Sequence, residues 1–310
     1  MDALSDLIRL LRLRTALLGN MAASGRWAIR MPVRTNPMFY FIMQGRCWFQ
    51  SNNGEPVELQ EGDYVLSARP VADVFFSEPG VEAVLSDAAF KAAHAVDGEL
   101  RLGDPAKGPT TRVFGGLIVC NAANADLLLD LLPRFVHVRA TDNIAARLRT
   151  LVTLIREETI DRRPGREASL CRLIEVMLIE MLRCESATWF STVCVLTGLS
   201  DPQLARVLAD MHADIGRGWT VAELAQRAGM SRSVFARRFS EAVGAGPMEY
   251  LLRWRMAFAK DALLHDGGTL DEIAAQVGYQ SASAFSTAFR KRVGCPPSDY
   301  AANGGLLIFP

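Results

Sequence analysis

The stretch Thr220-Val-Ala-Glu-Leu-Ala-Gln-Arg-Ala-Gly229 returns further along the chain as Thr269-Leu-Asp-Glu-Ile-Ala-Ala-Gln-Val-Gly278. One inserted residue then shifts the register to fifty. Phe235 and Phe239 match Phe285 and Phe289, Val243-Gly244 match Val293-Gly294, Pro247 matches Pro297 and Tyr250 matches Tyr300. An internal repeat of this kind means one architecture built twice.

Each copy reads as helix, tight turn, helix. Thr220 with Glu223, and Thr269 with Glu272, have the spacing of a capping box, in which hydroxyl and carboxylate satisfy free amides at a helix start. Gly229 and Gly278 stand where a left-handed turn residue is wanted. Ser231 and Ser281 suit the N-cap of a second helix. On that helix Phe235, Phe239 and Val243, and in the other copy Phe285, Phe289 and Val293, recur every four residues and must face inward. The open faces are then Ser233, Ala236, Arg237 and Ser240 in one copy and Ser283, Ser286, Thr287 and Arg290 in the other.

Short polar side chains beside an arginine suit the major groove of DNA, where they approach base edges closely and offer donors and acceptors. Arg232, Arg238, Arg253, Arg255, Lys291 and Arg292 flank these faces and can neutralise phosphates. A small helical bundle with solvated arginines would explain one copy; two in-register copies with matching caps, glycines and aromatic stripes favour DNA. From Met248 to His265 the pattern is helical with few breakers. A rigid helix there sets two readers, 231–242 and 281–292, about one duplex turn apart, roughly 34 Å, for successive major grooves. Charge balance gives no support, with 34 Lys and Arg against 34 Asp and Glu. DNA binding must therefore rest on where the charges sit.

From about Asp201 to Tyr300 these residues closely resemble the DNA-binding domain of the AraC/XylS regulators. The most specific part is Ile273-Ala-Ala-Gln-Val-Gly-Tyr-Gln-Ser-Ala-Ser-Ala-Phe-Ser-Thr-Ala-Phe-Arg-Lys-Arg-Val-Gly-Cys-Pro-Pro-Ser-Asp-Tyr300. The resemblance implies base-reading positions at Ser233, Ala236 and Arg237 in the first unit, and at Ala282, Ser283, Ser286 and Thr287 in the second. Ala236 and Ala282 have no hydrogen-bonding side chain, though a methyl still packs on thymine. It further implies a cytoplasmic transcription regulator of double-stranded promoter DNA, an activator in contact with RNA polymerase being one form.

The first part of the chain has a different character. After a short amphipathic helix near Ser5 to Arg14 come apolar runs such as Pro37-Met-Phe-Tyr-Phe-Ile-Met43 and Cys47-Trp-Phe49, broken by Gly and Asn turns. Ser51-Asn-Asn-Gly54 reads as a hairpin turn, and Glu61-Gly62-Asp63 leads into a strand at Tyr64-Val-Leu66. Short, evenly spaced strands suggest a small barrel or jelly roll. The region resembles the cupin-type, AraC-binding-like sensor domain of such regulators. A metal-dependent cupin enzyme would cluster histidines on early strands, whereas the histidines here are His94 and His137; we expect no enzyme, metal or cofactor. A small-molecule effector is the better expectation, since closed barrels of this size often hold one ligand. Trp27, Arg30, Arg34, Phe39, Phe41 and Trp48 are candidate lining residues by strand position. The alternative, with aromatics in the core and arginines at the surface, is open for each. Six scattered cysteines fit reduced thiols; Cys47 and Cys120 read as buried and structural rather than redox-active.

From Asn143 to Arg183 the pattern turns helical, with Ile144, Leu148, Leu151 and Ile155 as one stripe and a break at Arg163-Pro-Gly165. Leu170, Leu173, Ile174, Met177, Leu178 and Met181 then make a wide apolar face that must be covered. It either packs on the barrel or pairs with its twin, and a homodimer is the expectation because two-fold assembly is commonest. Trp189 to Gly198 reads as a connector. No stretch is apolar and long enough for a membrane span. The fold class is thus α+β in two domains. A cupin-like β-barrel or jelly roll occupies 1–140, a helical linker and dimerisation segment 141–199, and an all-α tandem helix-turn-helix domain 200–301, its units at about 220–242 and 269–292.

Overall fold

A computed structural model describes residues 3–13, 15–34, 36–52, 54–68, 72–119, 135–161, 163–183, 195–265 and 267–304. The chain divides into two compact units, whose described parts are residues 13–119 with 135–183, and residues 3–12 with 195–304. Among the described residues no helix is long and apolar enough to cross a membrane. Cys120 and most of the expected connector lie outside the described residues.

The first unit is built on two sheets. The larger has seven strands in the order β12 (Phe135–Val138), β6 (Tyr64–Ser67), β3 (Met38–Gln44), β11 (Thr110–Val119), β1 (Thr15–Ser24), β10 (Glu99–Gly103) and β9 (Ala95–Val96). The smaller has five, β5 (Val57–Gln60), β4 (Arg46–Ser51), β7 (Asp73–Phe76), β2 (Ala28–Arg30) and β8 (Val84–Leu85). The Ser51–Gly54 turn closes where expected, Gly54 N donating to Ser51 O over 2.9 Å between the paired β4 and β5. Gly62, at φ +88, makes the turn into β6.

Because side chains alternate along a strand, one residue of register decides which face is the core. On β3 the even positions Met38, Tyr40 and Ile42 enter the core with Trp27, Cys47, Phe49 and Phe75. Tyr40 meets Phe75 edge-on at 4.7 Å and Phe49 at 5.9 Å. Phe39 and Phe41 point the other way, Phe39 onto Phe114 at 6.0 Å and Phe41 stacked on Tyr64 at 4.5 Å. Cys47 is 1% exposed, and burial, with Asp63 adding to it, pushes its thiol up to about 12, so the thiolate that redox chemistry needs is suppressed.

Beside the short α2 (Ala88–His94), this unit has two longer helices among the described residues, α3 (Ala145–Asp161) and α4 (Arg166–Leu182), hinged at Gly165 with φ +83. They pack on each other, and α4 lies against β1 and β12. This corrects the expected dimer helix. Leu170, Ile174, Met177, Leu178 and Met181 are buried within one chain, Met177 completely, and Leu173 is half-buried. The barrel covers the face that seemed to need a twin. The segment 141–199 is accordingly not a separate linker, since its described helices belong to the barrel unit.

A buried polar pair fixes the turn before β6. Asp63 Oδ2 lies 2.9 Å from His137 Nε2, while Ala140 N and Gln60 N donate to the same carboxylate over 2.8 and 3.0 Å. Burial by itself would raise the Asp63 carboxyl, but the His137 bond and the two amides outweigh it and hold its pKa below the ordinary range.

A carboxyl whose folded pKa is depressed stabilises the fold above its unfolded value, near pH 4, and loses that contribution as pH falls through the folded value. Asp63→Asn should therefore flatten the acid limb of barrel stability below about pH 4. Thermal melts of both proteins between pH 3 and 7 would show it, and parallel curves would remove Asp63 from this role. Met177→Ala should destabilise the unit by about 2–5 kcal/mol through the cavity it leaves. An unaltered denaturant midpoint together with a dimer dissociating into monomers would restore the interface reading.

Candidate nucleic-acid interface

The second unit places the repeat on two matching helix pairs. In the first, α7 (Val221–Arg227) and α8 (Arg232–Val243) follow α5 (Val195–Ser200) and α6 (Pro202–Ala213). In the second, α10 (Leu270–Gln276) and α11 (Ala282–Val293) lead to α12 (Pro297–Ala302), and α9 (Pro247–His265) joins the two. Both capping boxes form. Glu223 N donates to Thr220 Oγ1 over 3.2 Å while Thr220 N donates back to the carboxylate over 3.1 Å; the second box repeats this at 3.3 and 2.8 Å. Those amides hold both carboxyls below their ordinary range. Ser231 and Ser281 cap α8 and α11, and Gly244 and Gly294 end them in the left-handed region.

The aromatic stripes are equally matched. Phe235 and Phe239 lie 5.6 Å apart and Phe285 and Phe289 5.5 Å apart, all fully buried. Phe239 meets Tyr250 edge-on at 5.7 Å, and Phe289 meets Tyr300 likewise at 5.5 Å. With one side of each helix consumed by the core, the opposite side has nowhere to go but outward. Ser233 and Arg237 are exposed on α8 and Ala236 is half-buried; on α11 Ser283 and Thr287 are exposed, Ala282 and Ser286 half-buried. Thr287 donates its hydroxyl to Ser283 O over 3.0 Å, which leaves an oxygen lone pair outward.

The expected phosphate contacts separate into three kinds. Arg232 and Lys291 are exposed and, among the described residues, make no ion pair. Arg238 is held by Asp201 at 2.7 Å and by Gln203 at 3.0 Å, and Arg253 and Arg292 share Glu249. Arg255 has a different task. It donates to Ile215 O over 2.8 Å and to Arg217 O over 2.7 Å, so its guanidinium clasps the loop ahead of the first unit and leaves the phosphate-binding set. Arg290, read earlier only as part of an open face, is exposed beside Lys291 and makes no ion pair among the described residues. Its place one turn beyond Thr287 was the signal for it.

The same loop locks the two readers together. A Cβ added at Gly278, which has φ +82, would lie 2.3 Å from Gly216 O and 2.8 Å from Arg255 Nη2. One added at Gly216 would lie 2.7 Å from Gln276 O. The turn of the second unit and the entry loop of the first thus touch backbone to backbone.

Sequence reasoning missed one part of this unit. Helix α1 (Ala3–Leu11), expected with the barrel, packs on α6 and α9. Its buried Asp6 is 3.0 Å from His212 Nδ1, and His212 Nε2 is 2.7 Å from the Tyr250 hydroxyl. With Nδ1–H donating to the carboxylate, Nε2 accepts from tyrosine and all three buried groups are satisfied. Arg12 closes the attachment with a bidentate pair to Asp261, at 2.5 and 2.8 Å.

The six barrel residues expected at a ligand are dispersed. The barrel unit holds a cavity of about 400 Å³, and of the six only Arg34 lines it. Trp27 is packed into the core. Phe39 and Phe41 lie on the opposite face of β3, because the cavity takes its even positions Met38 and Tyr40. Arg30 is exposed, and Trp48 stacks on Phe76 at 6.4 Å in a separate small cluster. Lys91, on the short helix α2 (Ala88–His94), lines the cavity and had no signal in the sequence beyond its charge.

Comparison with known proteins agrees with this geometry. The cupin family matches residues 2–187 and a helix-turn-helix domain family matches residues 224–303. An AraC-like transcription regulator of Streptomyces lividans is 37% identical over 302 residues, 97% of this chain and 98% of its own. The HTH-type transcriptional regulator AlkR of Acinetobacter baylyi is 29% identical over 311 residues, 97% of this chain and 99% of its own. Among solved structures, the DNA-binding domain of AdpA in complex with a target DNA is 34% identical, covering 33% of this chain and 92% of that one with a TM-score of 0.32.

Two glycines give a controlled test of the lock. Gly278→Ala should cost more than about 2 kcal/mol, from strained backbone and the collision together. Gly294→Ala, at φ +95 with open space around its Cβ, should cost only about 1–2 kcal/mol. Chemical unfolding of both variants checks this, and equal losses would mean that the Gly216 contact holds nothing.

Proposed function

The chain belongs to the AraC family of helix-turn-helix transcription regulators, and from that premise we propose that it reads promoter DNA with α8 and α11 in successive major grooves of one duplex face. The observation that carries the reading is the symmetry of the two units. In each, a helix pinned by caps and a phenylalanine stripe turns outward a strip of small polar residues bordered by cations that make no ion pair among the described residues. Family membership also implies a non-enzymatic role.

On α8, Arg237 is the side chain with the reach and geometry for a guanine edge, with Ser233 beside it and the Ala236 methyl suited to thymine. On α11, Ser283, Ser286 and Thr287 supply donors and acceptors, and Ala282 a second methyl. Arg232 and Lys291 take phosphates directly. Arg238, Arg253 and Arg292 do so by exchanging Asp201 or Glu249 for a phosphate oxygen, which makes those contacts weaker than those of unpaired cations. The barrel unit binds a small effector in its cavity. DNA as target places the protein in the cytoplasm, where an activator form would contact RNA polymerase. A homodimer would need a face other than the buried one, and Leu154, Ile160 and Val176 are exposed on α3 and α4.

Arg237→Ala should weaken binding to DNA from upstream of its own gene by about 1–3 kcal/mol and relax preference at one base pair. Fluorescence anisotropy against scrambled competitor at two salt concentrations measures it. An equal loss on scrambled DNA would make Arg237 a phosphate contact and end the base-reading assignment.

A further inference from the structure

The cavity of the barrel unit has two sides of opposite character. Met21, Met31, Met38, Phe75, Leu100 and Leu117 give its wall a largely apolar character. Into this apolar space project two half-buried cations, Arg34 and Lys91. Neither has a carboxylate at ion-pair distance among the described residues. Arg34 donates to the Met38 thioether over 3.1 Å, a weak acceptor, and among the described residues the Lys91 ammonium makes no hydrogen bond. Burial, and then the nearby Arg34 charge, lowers the Lys91 pKa, so the two cations repel one another across the same poorly solvated space.

Asp73, whose charge interacts with that of Arg34, does not relieve them. Asp73 accepts from the Tyr40 hydroxyl and from the Ser67 hydroxyl, each over 3.1 Å, and burial raises its own carboxyl. Arg34 helps to keep it ionised without pairing with it. A pair of cations left over an apolar hollow is costly unless an anion joins them.

We propose that this cavity is the site of an organic anion with an apolar body, a carboxylate whose head is held between Arg34 and Lys91 and whose tail lies among Met21, Met31 and Met38. This deepens the effector reading given above and rests on it. A sugar would need convergent polar groups along the wall, and the wall is apolar. A neutral hydrocarbon would fill the space and leave both cations unpaired. At about 400 Å³ the volume falls within the range of sites for small organic ligands. Three methionines give a wall that adapts to differing tails, so acyl and aryl carboxylates share the required chemistry.

Isothermal titration of the full-length protein decides the matter, with decanoate, 4-phenylbutyrate and the neutral decanol as probes. At least one of the two carboxylates should bind tenfold or more tightly than decanol, and whichever does identifies the tail. Lys91→Met and Arg34→Met should each weaken that carboxylate at least tenfold and leave decanol unchanged. Lys91 is half-buried on a seven-residue helix, so its variant carries the test should Arg34→Met fail to fold. Decanol binding as tightly as both carboxylates, or a folded Lys91→Met with undiminished carboxylate affinity, overturns the proposal. So does the absence of binding by either acid. Anisotropy on promoter DNA with the same preparation separates the two readings: specific DNA binding without carboxylate binding sinks this inference alone.

Discussion

Two stretches of backbone meet at Gly216 and Gly278 with no room for a side chain between them, and Arg255 fastens the junction by binding carbonyls on the Gly216 side. The double reader depends on this contact. A joining helix of nineteen residues, about 28 Å long at ~1.5 Å per residue, fixes the spacing of the two units along one axis. It does not fix their rotation about that axis. A backbone contact off the axis removes that freedom, and the Glu249 pair to Arg292 adds a second tie between the joining helix and the second reader. Reading heads held this way meet DNA preorganised, and little ordering cost is left for binding.

The barrel depends on a different constraint, the parity of β3. Its even residues build a core and a cavity wall, and its odd residues meet Phe114 and Tyr64 on the other face. Both faces are therefore covered, which is why the strand reads as an unbroken apolar run. The same economy explains α4, whose wide apolar stripe is spent on the barrel unit and not on a second chain.

What could be read in advance follows from whether the deciding physics was local. The caps at Thr220, Thr269, Ser231 and Ser281, the turn glycines and the phenylalanine stripes all act within a few residues, and all were legible. Tyr250 and Tyr300 were legible because the repeat aligned them. The inward face of β3 was not, since Pro37 to Met43 carries no polar residue to mark which side is wet. The partner of the α4 stripe was not, since an apolar face states only that it must be covered. Lys91 entered the cavity, and Arg255 left the DNA-facing set, through contacts with residues tens of positions away. Nothing near either residue announces such contacts.

The placement of α1 changes what the carboxy-terminal module is made of. A carboxy-terminal module of this kind is usually pictured as a bead on a single string. Here residues 3–12 belong to that module, with Asp6 against His212 and Arg12 against Asp261, and the barrel's sequence lies between them and the rest of it. The described part of the module is thus drawn from both sides of the barrel's sequence, residues 3–12 and 195–304. Helix α1 is packed on α6 and α9, so the module is assembled from two segments far apart in sequence. Asp6 and Arg12 therefore belong to the stability of the DNA-reading module, although they stand at the other end of the sequence.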